Sequence, residues 1–260
     1  MLTFVFSAFV LSILKIPNPE KLPENQKAIK YSMREEVFLG WQFIKSHSGL
    51  LNMLIIGAGV NLTSFFVTFR LVTPLVMSRT NDTAILGWIG SAFGLGMISG
   101  GVLMSVWGGP RRKILGVFGA ALASSLFGQV LFGLGSTFPI WLMAVFCGSF
   151  VIPIWGGCTN AIWQSKTPKE VQGRVFSLRR LISQFTAPIG LILIGPLADS
   201  VLQPLWRARG PNLIGGWPGS LPGGGYALAF VILGLLSAST AFSCLLIPSV
   251  RNIDKELPDV

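Results

Sequence analysis

Six long apolar runs decide most of what this chain can fold into. They are Leu50–Met77, Ala84–Trp107, Ile114–Gly135, Phe138–Trp163, Phe176–Leu202 and Tyr226–Ile247. A helix needs about 20 apolar residues to cross the hydrocarbon core of a bilayer, and each run is long enough to do so with some tilt. Inside hydrocarbon every backbone polar group must be satisfied internally, so a span of this length is a helix. Only 12% of the residues are charged, against about 25% in a soluble domain. The expected fold is therefore all-α and integral to the membrane, a bundle of six transmembrane helices.

The connections between runs fix the orientation. GGPRRK follows the second run. The fourth and fifth runs are joined through QSKTPKEVQGR, where Lys166, Lys169 and Arg174, with Arg179 and Arg180 at the start of the fifth run, stand against one acid, Glu170. The intervening connections are SRTNDT, the short Ser136–Thr137 turn, and a long Gly/Pro-rich segment carrying Arg207 and Arg209. Strongly basic connections mark the cytoplasmic side. Residues 16–48, 108–113, 164–175 and 248–260 are accordingly expected in the cytoplasm.

The net charge of +10 does not point to nucleic acid. The basic residues lie in loops too short to build a continuous basic face, so no nucleic-acid partner is expected. Cys147, Cys158 and Cys244 fall inside apolar runs without metal-ligand spacing and read as small buried hydrophobes. His47 stands alone at a membrane boundary. No catalytic constellation, metal site or cofactor motif is present in the sequence, and an enzyme is not expected.

Before the first full run, Met1–Leu14 is apolar but too short to span, and reads as the tail of a helix that begins earlier in a longer protein. Residues 15–49 form a linker broken by Pro17, Pro19 and Pro23. Within it, REEVFLGWQFIK has Val37, Trp41 and Ile44 at helical spacing. That face suits either the headgroup level of a membrane or an ordinary linker helix.

Polar residues within the runs are few. Asn61, Gln129, Asn160, Gln164 and Gln184 are candidates for a shared substrate cavity, although Asn and Gln also serve simply to link helices. Arg70 and Asp199 read as interfacial residues. Gly90, Gly94, Gly96, Gly100 and Gly101 stud the second run, where small residues let helices approach closely. The same surface would serve as a sliding seam in a moving bundle. In PKEVQGR, Glu170 and Arg174 are four apart, the favourable order for a helical ion pair. An exposed pair is worth only about 0–1 kcal/mol, which suits a latch that opens and closes.

Three segments carry a resemblance. WGGPRRK resembles the loop between helices eight and nine of major facilitator superfamily transporters, in the branch of bacterial macrolide and siderophore exporters. QSKTPKEVQGRVFSL resembles the loop between helices ten and eleven of that branch, and APIGLILIGPLADSV its helix eleven. The resemblance implies that the runs are helices 7–12 of a twelve-helix fold preceded by a partial helix 6. It also implies alternating access about a central site, with export coupled to proton entry. The loop departs from the family's usual signature in lacking its acid, for which Ser105 or a neighbour stands.

The expected organisation is a partial helix over 1–14, a cytoplasmic linker over 15–49, a six-helix half-domain over 50–248 and a tail over 249–260. The expected gate on the cytoplasmic side is Arg111, Arg112, Lys113, Glu170, Gly173 and Arg174. The implied partners are the lipid bilayer, a small-molecule substrate and a missing N-terminal six-helix half. The implied location is a bacterial inner membrane. A truncated, non-transporting membrane module or partner-binding scaffold is the other reading of the same residues.

Overall fold

The computed structural model describes residues 33–207 and 222–253, apart from the side chains of residues 33, 65–69, 186, 187, 191 and 194. The partial helix over 1–14, most of the linker, the greater part of the Gly/Pro-rich connection and the last residues of the tail lie outside the described residues. The chain falls into two compact units, residues 1–36 and 37–260, and the architecture below is that of the second.

The described residues contain helices and turns and no strand. In order they are α1 (Met33–Ser46), α2 (Ser48–Thr63), α3 (Phe65–Thr80), α4 (Thr83–Trp107), α5 (Lys113–Leu134), α6 (Phe138–Ser165), α7 (Lys169–Pro196), α8 (Gly224–Leu246) and the short α9 (Pro248–Arg251). Four of them, α4, α5, α6 and α8, are each long and apolar enough to cross a membrane. The number becomes five if α1 and α2, bent by 107° at His47, are one span.

The other two runs are not single apolar helices. Leu50–Met77 divides at Ser64, whose backbone leaves the helical region (φ −97°, ψ −134°). No proline causes this break. Thr63 just before it donates its hydroxyl to the carbonyls of Gly59 (3.0 Å) and Val60 (3.3 Å), a back-bond that bends helices. The fifth run lies in α7, which starts in the basic turn, carries Pro188 and Pro196, and passes into a π-helical segment, Leu197–Leu202.

Local sequence explains the remaining ends. Asp82 caps α4 by accepting from the Ala84 amide at 2.8 Å. Gly108 ends it in the left-handed conformation (φ 71°), which glycine adopts without a Cβ penalty. Lys113 then donates to the Gly108 carbonyl at 2.8 Å, placing a cation at the negative end of α4. Within α6 the helix is interrupted at Val151, just before Pro153, whose ring nitrogen cannot donate.

Two separate apolar cores hold the bundle. One gathers Ile44, Leu50, Met53, Ile114, Ile154, Trp163, Val175 and Cys244. These come from α1, the starts of α2, α5 and α7, and the ends of α6 and α8. The other gathers Leu75, Ile89, Phe132, Trp141, Ala198 and Phe230, from the end of α3, the starts of α4, α6 and α8, the end of α5 and the π-helical segment after α7. Phe132 packs on Phe230 at 4.9 Å between ring centres and stacks on Trp141 at 5.9 Å. The pair α2–α3, α4, α5, α6, α7 and α8 thus run alternately between two ends. Every strongly basic turn lies at the first.

The amphipathic helix α1 differs from its sequence expectation. Val37, Trp41 and Ile44 do not share a face: Ile44 is fully buried, while Val37, Phe38 and Trp41 are exposed. The inward side is instead Gly40 and Ile44. A Cβ on Gly40 would stand 3.1 Å from the carbonyl oxygen of Arg174 in α7, so glycine permits the contact that draws Ile44 into the core.

The glycines of α4 also divide. A Cβ on Gly96 would collide with Ser149 and the Phe146 carbonyl, and one on Gly100 with the Phe150 carbonyl. These two seat α4 against α6. Gly90, Gly94 and Gly101 face open space.

Candidate functional site

Between the two cores lies a polar layer. Gln129 Nε2 donates to Ser64 Oγ at 3.2 Å. Ser64 Oγ is hydrogen-bonded to Ser237 Oγ at 3.1 Å, and Ser125 Oγ to Ser237 Oγ at 2.9 Å. The layer therefore ties the break between α2 and α3 to α5 and α8. Its α5 members sit in a π-helical stretch, Ser124–Val130. One extra residue per turn is accommodated there, a device frequent at functional sites.

Beside this layer is a cavity of about 350 Å³, at the low end of the range of about 300–1,000 Å³ for small-molecule pockets. Val60, Asn61 and Ser64 contribute from α2 and its end. Ile89, Phe93 and Met97 come from α4, Ser124, Gln129 and Phe132 from α5, Val145 and Trp155 from α6, and Phe230 from α8. The wall is mostly aromatic and aliphatic. Gln129 is only 6% exposed, and its Oε1 has no hydrogen-bond partner among the described residues.

Of the sequence candidates for a cavity, the structure brings Asn61 and Gln129 together here. Asn160, Gln164 and Gln184 do not line this cavity; all are exposed positions on α6 and α7. The reason is rotational: Ile162, Trp163, Val175 and Leu178 occupy the inward faces of those helices. Asn160 accepts from Arg179 Nη1 at 3.0 Å. The Arg179 guanidinium also lies 5.4 Å from the Trp163 ring centre and 5.9 Å from that of Phe176. This assembly joins α6 to α7 by a charge-assisted hydrogen bond and cation–π contact. The Gln164 backbone carbonyl accepts from Gln172 Nε2 at 3.4 Å.

The residues expected at the gate all stand at the basic end. Arg111 and Arg112 are exposed, as are Glu170 and Gly173. Lys113 is committed to the Gly108 carbonyl. Arg174 is half-buried, its backbone under Gly40 of α1. Glu170 and Arg174 lie in the first two turns of α7.

At the other end, sequence reasoning missed Arg79. Its Nη1 donates to the Gly135 carbonyl at 2.6 Å and its Nε to the Pro222 carbonyl at 3.2 Å. Its guanidinium stands 5.9 Å from the Trp141 ring centre, and Trp141 Nε1 donates to the same Gly135 carbonyl at 3.0 Å. Burial pushes the Arg79 pKa down, but an arginine stays charged. One side chain thus clamps the ends of α3, α5, α6 and α8. Arg70 and Asp199 border a common open groove with Tyr226, and Tyr226 donates its hydroxyl to Asp199 Oδ1 at 2.7 Å.

Among the described residues no cluster of His, Cys, Asp or Glu could hold a metal ion. Cys147, Cys158 and Cys244 are free thiols, the last two buried.

Alternating apolar helices, a core at each end and a cavity between them define a multi-pass, all-helical membrane protein. The chain belongs to the Major Facilitator Superfamily, whose model matches residues 1–191. It is similar to macrolide efflux protein A of Streptococcus pyogenes, with 25% identity over 255 residues, 96% of this chain and 56% of that protein. The protein of the same name from Enterococcus faecalis is 26% identical over 194 residues, 72% of this chain and 57% of the relative. The multidrug efflux pump Tap of Mycolicibacterium fortuitum is 26% identical over 134 residues, 49% of this chain and 31% of the pump. The chain thus spans about half the length of the curated macrolide efflux relatives it matches. No solved structure shows significant similarity to it.

Proposed function

We propose that this chain supplies the C-terminal six-helix half of a permease, not an enzyme, that exports amphipathic small molecules across a bacterial cell membrane. The observation that carries the reading is the near-complete alignment with a named macrolide efflux protein. The two apolar cores support it, because each packs one end of the bundle and leaves the polar layer and cavity between them. The partner is a six-helix N-terminal half, on the same polypeptide or another, and the export step is coupled to proton entry as in the family. Asn160, Gln164 and Gln184, exposed on α6 and α7, are the side chains this half offers to a substrate held between halves. Arg111, Arg112, Lys113, Glu170, Gly173 and Arg174 form its share of the cytoplasmic gate.

The relatives are named for efflux, which leaves the scaffold reading without support of its own. The test is macrolide accumulation in cells expressing the chain alone, the N-terminal half of macrolide efflux protein A alone, or both. Reduced accumulation is expected only with both. Export by the purified 260-residue chain in liposomes would overturn the division of labour and point to a dimer of identical halves.

A further inference from the structure

The groove that Arg70 and Asp199 share measures about 490 Å³ and lies between α3, the π-helical segment after α7 and the start of α8, at the end opposite the basic turns. Arg70 stands inside an apolar run, where a cation is costly and calls for a partner. Its side chain is exposed, and among the described residues neither a hydrogen bond nor an ion pair engages it. Thr73 is exposed on the same wall, three residues along α3. Pro74 follows and has no N–H, so the Arg70 carbonyl loses its helical donor. Asp199 enters the groove from another element and is also exposed. Its Oδ1 accepts from the Tyr226 hydroxyl at 2.7 Å, and its second oxygen has no partner among the described residues. Opposite charges thus line one groove without pairing with each other. Tyr226 is the third residue of α8, so the carboxylate it holds sits at the boundary of that span. Arg70 is long enough to reach the same level along its apolar stem.

We propose that this groove seats the headgroup of a zwitterionic phospholipid with a primary amine, its phosphate on Arg70 and Thr73 and its ammonium on Asp199. A simple anion meets Arg70 but is repelled by Asp199. A metal ion meets one carboxylate and the charge of Arg70. A group carrying both signs a few bonds apart satisfies both. The source is a lipid because apolar surface continues from the groove. Ile192 and Leu193, 70% and 60% exposed, lie about two turns before Asp199 on α7, where acyl chains can rest while the headgroup stays at the boundary of the spans. The site does not rest on the export reading, because every residue it uses belongs to this chain.

The 260-residue chain, purified in detergent, is titrated with phosphatidylethanolamine or phosphatidylglycerol of the same acyl chains, and bound lipid is counted by native mass spectrometry. A chain of net charge +10 attracts the anionic lipid without any site, so a preference for the zwitterion has to come from a built one. Phosphatidylethanolamine is expected to bind about twofold to fivefold more tightly, the range that one exposed ion pair supplies. Asp199→Asn is expected to bring it down to the level of phosphatidylglycerol; if that variant is not recovered folded, Asp199→Ser removes the same charge. Arg70→Gln is expected to weaken both lipids. Asp82→Asn, which removes an exposed acid at the same end but outside the groove, is expected to leave the preference as it was. Equal binding of the two lipids to the parent chain, a preference that survives without the Asp199 charge, or one lost equally in Asp82→Asn overturns the site. Unchanged binding of both lipids to Arg70→Gln overturns the phosphate contact. Displacement of the lipid by soluble phosphoethanolamine at equal concentration overturns the lipid as occupant and points to a free solute. No transport is measured, so any of these failures leaves the export reading where it stood.

Discussion

Arg79 shows how a single side chain can matter more than its surroundings suggest. It sits just beyond an apolar run, where a cation is expected to snorkel to the headgroups. Instead it folds back to serve two backbone carbonyls and lies near an indole ring. Hydrogen bonds from charged donors are worth about 1.5–3 kcal/mol each, and removal strands the acceptors. Arg79→Ala should therefore lower thermal stability in detergent by an amount of that order, with Arg79→Lys recovering only part, since an ammonium cannot span both carbonyls in one plane. Unchanged melting of Arg79→Ala would show the clamp to be ornamental. The sequence offered no sign of this role, because both acceptors are main-chain atoms and Gly135 lies far along the chain. Asn61 and Gln129 were legible as polar residues in apolar runs. Their companions Ser64, Ser125 and Ser237 were not, since serine is common in spanning helices and only the fold brings these three together.

The contact between α4 and α6 carries the clearest test at the level of elements. A glycine-rich face reads in the sequence as one packing stripe, yet the structure uses only part of it. Gly96 and Gly100 seat the Phe146–Phe150 backbone, whereas Gly94 and Gly101 have no neighbour where a Cβ would stand. Gly100→Ala should destabilise the protein by about 1–3 kcal/mol through overpacking. Gly94→Ala should be neutral or slightly stabilising, because alanine favours a helix over glycine by up to about 1 kcal/mol. The pair is compared by thermal melts of the purified chain; equal losses would mean that α4 packs elsewhere. The lengths of the apolar runs gave the existence and approximate ends of most elements. They could not give the split at Ser64, which has no proline to announce it, nor the rotation of α6 and α7 that turns Asn160, Gln164 and Gln184 away from the inner cavity. The same limit explains α1: three apolar residues at helical spacing looked like one face, but the close approach allowed by Gly40 selects a different one.

For the whole molecule, the alternation of apolar runs made the helical bundle legible in the sequence, and the one-sided distribution of Lys and Arg sets its expected direction. The division into two cores was not, because it depends on which ends of the helices meet. Orientation is tested by single cysteines in a background lacking Cys147, Cys158 and Cys244. Lys169→Cys stands in the basic turn and Ala84→Cys at the exposed start of α4. An impermeant maleimide applied to intact cells should label Ala84→Cys and reach Lys169→Cys only after permeabilisation. The reverse pattern would invert the topology and with it the assignment of the inner gate.

The π-helical stretch of α5 has a further consequence, and it concerns heredity more than chemistry. A residue added to or taken from a helix rotates everything beyond it by about 100°. Ser124–Val130 absorbs such a residue locally, which leaves Gln129 on the cavity and Phe132 in the second core at once. An in-frame deletion of one codon there would let the helix close into regular turns and leave Phe132 on Phe230, while the polar residues inside the stretch lose the positions that the extra residue gives them. Substitutions in this stretch are small steps on a map of related sequences; a change of length is a jump for the polar layer alone, so a relative one residue shorter here should keep the second core and lose the Ser125–Gln129 arrangement.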